Sequence, residues 1–473
     1  MHTRAIQPAS SMMALSACAI HAYAQACSTS VGPDIIVGDM SGIVNFTPTA
    51  GVDALGLAHT LCNIGTVNIQ CNPSPAVTHP ILTQNLYRYS IVDGAGRFEQ
   101  IGMGWVSHEF AMLSGTTCCT TCTPGSVAVL GPGCSSSTTA SSSSTQSSAT
   151  PRFEVNPVTA SFPSTSSPPP VTSAVDRRLL YALIDVPPSS SGTRYFGEKI
   201  VLSPDDGTRS NNLSNRELTA TAQASESTFA LTSTVHRDQP AVLRWAEIEP
   251  SVHVSHMDIP GDGRVWLLSN ATHLPTGLWR YEYLVFNQNS HRAIQSFQLE
   301  PVLWQGNNPL YFSNPGFHDV SYHSGDGPGY VDVSRTDWTL TGPGFWTTDS
   351  FATNQGANAL RWGTAYNFRF DSAFPPSGTG RYATLGLWRP GTPATVTFEG
   401  VPTPATCNDI DVNNDGLFPD TLDIVAFLSM FAGGPCQPDD AVCDTIDFNN
   451  DTLFPDTLDL DALLSVFSGG PCL

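Results

Sequence analysis

The last part of the chain contains one 30-residue sequence twice. The two copies begin at Cys407 and Cys443, 36 residues apart, and are identical at 21 of 30 positions. Each copy places aspartate and asparagine at alternating positions before a short apolar segment, with a cysteine at both ends. Alternating oxygen side chains are typical of calcium loops, and bracketing cysteines are typical of chains that fold in an oxidising compartment. The repeat therefore predicts two calcium loops, each followed by a short helix.

Both loops fit the EF-hand pattern through position 7. That pattern takes side-chain oxygens at positions 1, 3 and 5, a backbone carbonyl at position 7, and an acid that closes the loop. The candidate metal ligands are Asp411, Asn413, Asp415, Leu417, Asp420, Asp423, Asp447, Asn449, Asp451, Leu453, Asp456 and Asp459. The closing acids Asp423 and Asp459 stand one position later than the closing Glu of an EF-hand. Thr452 replaces the glycine that favours the sharp turn at position 6, so we expect weaker calcium binding by the second loop.

An Asp/Asn-rich turn without an ion is the alternative interpretation, because Asx turns use the same residue types. Two copies in one register, each followed by apolar residues at helical spacing, favour calcium. Those apolar residues are Leu422, Val425, Leu428 and Phe431 in the first copy, and Leu458, Leu463 and Phe467 in the second. Without metal the aspartates of each loop repel one another, so folding of the tail should depend on calcium.

The paired loop–helix repeats resemble the type I dockerin module. The bracketing cysteines and the FxGGxC endings, Phe431 to Cys436 and Phe467 to Cys472, are closer to the GC-type dockerin-like tail of secreted planctomycete proteins. The resemblance covers 66 of the 473 residues. It implies a tethering or sorting tail that binds a cohesin-like or cell-surface protein. By position it assigns that contact to Thr421, Leu422, Thr457 and Leu458.

The N-terminus is typical of an export signal over residues 1–26. An apolar segment follows a short polar start, and Ala24 and Ala26 supply the small residues that precede a cleavage site at Cys27. No stretch reaches about 18 uninterrupted apolar residues, so no transmembrane helix is predicted. We therefore expect a protein that is secreted or held at the cell surface. Loss of Cys18 with the signal leaves 11 cysteines, which implies a free thiol, an intermolecular bridge or a lipidated Cys27.

Disulfides are the expected state of the remaining cysteines in an exported chain. The four cysteines of the tail allow three pairings, and the symmetry of the repeat favours pairing within each copy. The favoured pairs are Cys407 with Cys436 and Cys443 with Cys472. For the cluster Cys118, Cys119, Cys122 and Cys134 a thiolate metal or redox site is the alternative, because Cys119 and Cys122 have CxxC spacing.

Charge is concentrated in the tail. Residues 401–473 contain 13 aspartates and no glutamate, lysine or arginine. They therefore contribute 13 of the 21 net negative charges of the chain. The whole sequence has a single lysine, Lys199, and no cluster of basic residues. Phosphate contacts require clustered basic side chains, so a nucleic-acid partner is disfavoured.

Ahead of the tail the sequence predicts strands. Short apolar and aromatic segments alternate with Gly, Pro, Asn and Asp, and Trp279, Tyr281, Tyr283 and Val285 would share one face of a strand. Residues 242–248 are another predicted strand. This texture predicts a mainly β protein, with a β-sandwich or jelly-roll-like body and a small all-α, EF-hand-like module at the C-terminus.

The Ser/Thr/Pro-rich tract after Cys134 cannot bury apolar surface and is expected to be a linker or loop. It is either a boundary between two lobes or an insertion in one continuous fold, and we favour two lobes. The predicted divisions are an export signal at 1–26, a Cys-containing β-rich region at 27–134, the linker or loop at 135–173, a β-sandwich region at 174–400, and the calcium-binding double repeat at 401–473.

Catalytic signals in the body are weak. Glu247 and Glu249 on one strand face would stand roughly 7 Å apart, within the range of paired glycosidase carboxylates, although exposed acids of this kind are usually solvated decoration. His253, His256 and Asp258 could form a metal site only if their strand bends. A sugar-binding platform is the alternative to a core role for Trp245, Trp266, Trp279, Trp304, Trp346 and Trp362.

The sequence therefore favours a secreted, non-catalytic β-rich structural or binding protein, tethered or sorted through a calcium-dependent dockerin-like tail. The alternative is an extracellular carbohydrate-active enzyme, acting on polysaccharide, that carries the same tail. The tail determines where the protein is held, and no motif identifies a ligand of the body.

Overall fold

The structure is a computed structural model, and it describes most of the body and part of the tail. The described residues are 30–73, 78–109, 111–147, 149–161, 170–188, 192–223, 225–300, 312–320, 333–377, 381–404, 410–413, 415, 420–437, 443, 446–449 and 455–468. The predicted export signal and Cys27 lie outside them. Across these ranges, no helix has the length and apolar character needed to span a bilayer.

The first half of the body contributes to two antiparallel sheets. Sheet I contains, in spatial order, β1 (Ile35–Asp39), β4 (His59–Asn63) and β10 (Ser135–Thr138). Sheet II contains β14 (Ser227–Leu231), β13 (Leu213–Ala222), β12 (Arg194–Leu202), β6 (Ile81–Val92), β7 (Ala95–Met103), β11 (Leu179–Ala182), β3 (Val52–Leu57) and β2 (Ile43–Asn45), with β8 (Ser107–His108) paired to β6. A separate ladder joins β5 (Ile69–Gln70) to β9 (Val129–Leu130).

The second half forms two further antiparallel sheets of five strands each. Sheet III contains β15 (His253–Asp258), β16 (Arg264–His273), β17 (Trp279–Asn287), β22 (Thr364–Ser372) and β19 (Ser313–His318). Sheet IV contains β20 (Thr339–Gly342), β21 (Phe345–Thr347), β18 (Ile294–Leu299), β23 (Arg381–Leu387) and β24 (Thr395–Val401). The prediction of a mainly β protein is confirmed.

The sheets are stacked, and each interior layer is buried on both faces. Tyr281 and Tyr283 of β17 share a core with Phe297 of sheet IV, as the period-two pattern predicted. The alternate residues Leu284 and Phe286 pack in another core with the strands of sheet II. A third core joins the opposite face of sheet II to sheet I. Four stacked sheets thus replace the two layers expected for a simple sandwich.

Helical structure in the body is short. It comprises α1 (Ala140–Ser143), α2 (Arg244–Ile248) and 3-10 turns at Arg152–Glu154, Leu183–Asp185 and Ala241–Leu243. Residues 242–248 were predicted as a strand, and this prediction is wrong. A turn that follows Pro240 leads directly into α2, where Arg244 and Glu247 pair across one helical turn at 2.6 Å.

Residues 135–161 are part of the fold rather than a spacer between lobes. β10 pairs with β4, and α1 lies against β3. Arg152 is fully buried and donates to the carbonyl oxygens of Gly104 and Gly363 at 3.1 and 2.9 Å. Sheet II also takes strands from both sides of this segment. Strands before and after this segment therefore belong to one sheet.

All the described cysteines except Cys71 form disulfides, but the tail does not have the favoured pairing. Cys436 pairs with Cys443, seven residues away, and so joins one repeat to the next. The short connection between the repeats holds the two Cα atoms 5.7 Å apart, a distance that a disulfide spans. The predicted symmetry of the repeats took no account of this connection. Cys407 and Cys472 lie outside the described residues. Among the cysteines that are described, only Cys71 is free, and it is buried.

The tail has two helices and a small core of its own. The helices are α3 (Thr421–Phe431) and α4 (Thr457–Phe467). Ala426 and Phe427 of α3 pack with Ala462 and Leu463 of α4 and with Phe448 of the second loop. The two copies therefore bury one shared apolar core.

Candidate functional site

The acid that closes the first predicted calcium loop is buried. Asp423 is 1% exposed, and its carboxylate accepts hydrogen bonds from the backbone N–H groups of Asp420 at 2.8 Å and Asn413 at 3.3 Å. Asp420 caps α3 and accepts from the N–H of Leu422 at 2.6 Å. The two acids form a capping box. This arrangement fixes Asp423 toward the loop and Asp420 at the end of the helix.

The side chains at positions 1, 3 and 5 of that loop converge. The N–H of Asp415 donates to side-chain oxygens of Asp411 and Asn413, both at 3.1 Å. The Asn413 amide in turn donates to the Asp415 carboxylate at 3.1 Å. Since the Asn413 backbone also contacts Asp423, these hydrogen bonds connect four of the five predicted side-chain ligands of this loop. Leu417, the predicted carbonyl ligand, lies outside the described residues.

The second loop repeats this geometry 36 residues later. Asp459 is fully buried and accepts from the N–H groups of Asp456 at 2.8 Å and Asn449 at 3.3 Å. Asp456 accepts from the N–H of Leu458 at 2.7 Å and completes a second capping box. The distances match those of the first loop within 0.1 Å. Asp447 is described as well, whereas Asp451 and Leu453 are not.

The residue types of the two loops are those that bind calcium, whereas their described positions do not form a closed ion site. Every side-chain donor is a carboxylate or carboxamide oxygen, the ligand type that calcium takes in sets of six to eight. Residues 401–473 contain no lysine, arginine or histidine, so no basic side chain of the tail accompanies the buried Asp423 and Asp459. Within the described ranges, no three His, Cys, Asp or Glu side chains are grouped closely enough to hold an ion.

The tail helices leave an apolar face exposed. Leu422, Val425 and Leu428 of α3 are 47%, 50% and 43% exposed, and Leu458 and Leu464 of α4 are 54% and 46% exposed. The apolar residues whose spacing predicted α3 therefore lie mainly on the surface, whereas Ala426 and Phe427 beside them fill the core. Thr421 and Thr457 are exposed too, so every residue that the dockerin resemblance assigns to a partner is accessible.

The acid pair considered for glycoside hydrolysis is occupied by structural contacts. Glu249 accepts hydrogen bonds from the Tyr89 hydroxyl and the Trp245 indole, both at 2.8 Å, and from the Asn270 amide at 3.2 Å. Glu247 is bound by the guanidinium of Arg244, as described above. Glu247 is 43% exposed, whereas Glu249 is held by three side chains.

The histidine cluster on β15 is also dispersed. The His256 ring lies tilted against the Trp266 ring, with 4.7 Å between their centroids, and Asp258 pairs with Arg264 at 2.7 Å. His253 lies beside Gly400 of β24 in sheet IV. The alternation of side chains along a strand separates the two histidines, so they do not share an ion.

The cysteine cluster is not a metal site. Cys118 is bonded to Cys62 and Cys122 to Cys134, and Cys119 is also in a disulfide. The tryptophans considered as a sugar platform belong to the core instead. Trp245, Trp266, Trp346 and Trp362 are buried and Trp279 is half-buried, whereas Trp304 lies outside the described residues.

Two buried ionisable groups were not singled out from the sequence. Lys199 is 1% exposed and donates to the Ser143 hydroxyl at 2.5 Å, and burial lowers its pKa to about 7. Glu198, its neighbour on the opposite face of β12, accepts from Asn85 at 2.8 Å and Tyr87 at 3.0 Å, and burial raises its pKa to about 7. A lysine that is unique in 473 residues was the available signal for the first.

Charged pairs also join sheets II and III. Arg97 of β7 holds the carboxylate of Glu282 of β17 through three contacts of 2.6 to 3.2 Å. Both side chains are less than 10% exposed. Burial raises the pKa of Glu282, while the Arg97 guanidinium opposes this shift. Arg97 and Glu282 therefore act as an internal connection between layers.

Comparison with known proteins does not identify a family. No protein-family model and no curated protein matches the chain. Among solved structures, Amycolatopsis orientalis exo-chitosanase CsxA in complex with PNP-beta-D-glucosamine aligns at 9% identity and a TM-score of 0.16, over 72% of this chain and 25% of that chain. Another structure of that enzyme aligns at 8% identity and a TM-score of 0.16, over 76% and 26%. The chain spans about a quarter of the length of the chains it matches, and such TM-scores do not define a common fold.

Proposed function

We propose that this is a secreted β-rich structural or binding protein, held outside the cell through a calcium-binding, dockerin-like tail. The observation that carries the proposal is the pair of buried carboxylates, Asp423 and Asp459, at equivalent positions of two loops in a segment without basic side chains. A carboxylate removed from water requires a compensating cation or several hydrogen bonds. Calcium would supply the cation in both loops and would bind through the oxygen ligands named above.

In this proposal the tail is an EF-hand-like module and the body is the cargo. Sheets III and IV, which share one aromatic core, form the sandwich-like part of that body. The exposed apolar face of α3 and α4 supports contact with a cohesin-like or other cell-surface protein, because exposed apolar patches of soluble proteins often mark interaction sites. The contacts of Glu247 and Glu249 lend no support to the enzyme alternative, which rests on the kind of protein that carries a dockerin tail.

Calcium titration of the full chain tests the first step. We expect two binding events by calorimetry, with the second loop weaker because of Thr452. Asp423→Asn should remove the tighter event and Asp459→Asn the weaker one, since each replaces a closing carboxylate. Asp461→Asn is the matched control, because it removes an exposed charge from α4 outside the loop. Absence of heat from the unsubstituted protein, or equal loss in the control, would refute the calcium assignment.

Localisation in the producing cells tests the tether. A chain with Leu422→Arg and Leu458→Arg should move from the cell surface to the medium, because both substitutions place charge on the exposed apolar face. Tyr382→Arg is the control, since Tyr382 is a 47% exposed apolar side chain on β23 of the body. If the double variant stays at the surface while the calcium titration succeeds, the tail binds calcium but does not tether the protein through this face.

A further inference from the structure

A polar groove of about 480 Å³ lies between loops that follow strands of sheets II and III. One wall is residues 207–210, which connect β12 to β13. The other is residues 258–264, which connect β15 to β16, and Asn289 and Val158 complete the lining. The volume falls within roughly 300–1,000 Å³, the range of small-molecule sites. The groove is separate from the tail, and nothing in the proposed function uses it.

The walls of the groove are fixed by hydrogen bonds behind them. The Asp262 carboxylate accepts from the backbone N–H groups of His291 at 2.9 Å and Arg292 at 3.3 Å. Asn289 accepts from the N–H of Arg264 at 2.7 Å and donates to the carbonyl oxygen of Arg209 at 3.0 Å. These bonds connect the two walls directly. The groove is therefore preformed, which lowers the entropy lost on binding a ligand.

The groove presents fixed hydrogen-bond donors beside fixed acceptors. Arg264 binds Asp258 through two contacts of 2.7 and 2.9 Å, and its guanidinium lies over the Trp266 ring at 5.7 Å, which restricts its orientation. Asp258 is 65% exposed and retains free lone pairs for a ligand. A planar donor next to a planar acceptor matches a pair of neighbouring hydroxyl groups, each of which both donates and accepts.

The opposite wall adds hydrogen-bond donors that make few hydrogen bonds within the protein. The Arg209 guanidinium makes one long internal bond, 3.4 Å to the carbonyl oxygen of Pro204, and it has five N–H groups. Ser210 is exposed, and within the described part of the chain its hydroxyl makes no hydrogen bond. The charges that line the groove are two arginines and two aspartates, so they balance. A balanced polar groove favours a neutral polyhydroxylated ligand over a polyanion.

We propose that this groove binds a neutral sugar unit of an oligosaccharide or polysaccharide. The Arg264–Asp258 pair would contact neighbouring hydroxyls, and Arg209 and Ser210 would donate to further sugar oxygens from the other wall. This gives the body a ligand class of its own, independent of whether the tail binds calcium.

The test is binding of the full chain to a microarray of neutral and acidic glycans, followed by calorimetry with the best neutral oligosaccharide. We expect binding to at least one neutral glycan. Arg209→Ala should weaken it about tenfold, the effect expected for loss of a charged hydrogen bond. Ser210→Trp should abolish binding, because the indole would fill the groove from an exposed position.

Two control variants match these substitutions. Arg335→Ala removes an exposed arginine remote in sequence from both walls, and Ser251→Trp adds an indole before the opposite end of β15. Both controls should bind as the unsubstituted protein does, and thermal melting should show that all four variants fold. No neutral glycan bound, binding to acidic glycans alone, or unchanged affinity of a folded Ser210→Trp protein would each overturn the proposal.

Discussion

Replacement of the single lysine by methionine should make this protein more stable at neutral pH. Lys199 is buried between sheet II and α1, where its charged form has lost its hydration and donates to Ser143. Burial lowers its pKa from 10.5 to about 7. Linkage between this shift and folding costs about 4 kcal/mol of stability at pH 7, since the unfolded chain holds the proton more tightly.

The expected net gain is smaller than that cost. Lys199→Met removes the buried charge but leaves the Ser143 hydroxyl, which is 5% exposed, without its donor. An unsatisfied buried hydroxyl costs about 1–3 kcal/mol, which leaves a net stabilisation of about 1–3 kcal/mol at pH 7. Urea unfolding of both proteins, followed by tryptophan fluorescence, measures this difference.

The pH dependence distinguishes this explanation from a simple packing effect. A basic group whose pKa is lowered by folding destabilises fully below about pH 7, and its penalty falls as pH rises toward 10.5. The unsubstituted protein should therefore gain about 2 kcal/mol between pH 7 and pH 9, and Lys199→Met should lack this gain. Lys199→Arg, which cannot lose its charge, should be destabilised without the slope. A Met variant that is less stable at pH 7, or a flat unsubstituted profile, would refute the reasoning.

Three further predictions concern two buried charged groups and one disulfide. Arg97→Met should lower the free energy of unfolding in urea by about 3–5 kcal/mol, because it leaves the buried Glu282 carboxylate without its cation. Adding Glu282→Leu to this variant should recover most of the loss, and a double variant without recovery would contradict a paired role. Folding raises the pKa of Glu198 from 4.5 to about 7, so the free energy of unfolding should fall by about 3 kcal/mol as pH rises across that range. Glu198→Gln should abolish this fall, as measured by calorimetry. Cys436→Ser with Cys443→Ser should reduce tail protection in hydrogen exchange by about 2.5 kcal/mol, and unchanged protection would argue against the bond.

The strands of the body could be predicted from the sequence, but their burial on both faces could not. Along β17 the alternation of Tyr281 and Tyr283 with polar residues correctly predicts which side chains share a face. The same alternation suggests that Glu282 faces water, whereas it is 2% exposed. Its partner Arg97 lies 185 residues earlier, and local periodicity carries no information about so distant a pair. Stacking of several sheets therefore could not be read from single strands.

In the tail the repeat register predicted the equivalent positions of two acids, but symmetry did not predict the cross-link. The positions of Asp423 and Asp459 follow from repeat register, and the structure places both toward their loops. The pairing of Cys436 with Cys443 depends on the path of the short connection between repeats, which symmetry does not specify. Residues 242–248 had the alternation of a strand but form helical turns. Glu249, which follows α2, contacts Tyr89 and Asn270 from other parts of the chain, and local alternation carries no information about such contacts.

The shared strands of sheet II limit how this protein can be divided. All nine residues of β12 pair with β6, which comes from the other side of the 135–173 segment. A fragment that ends or begins in that segment would expose the full edge of β6 or β12, and long unpaired edges promote aggregation. Deletion studies should therefore keep residues 30–404 together, and fusion partners are better attached at the ends of this span than inside it.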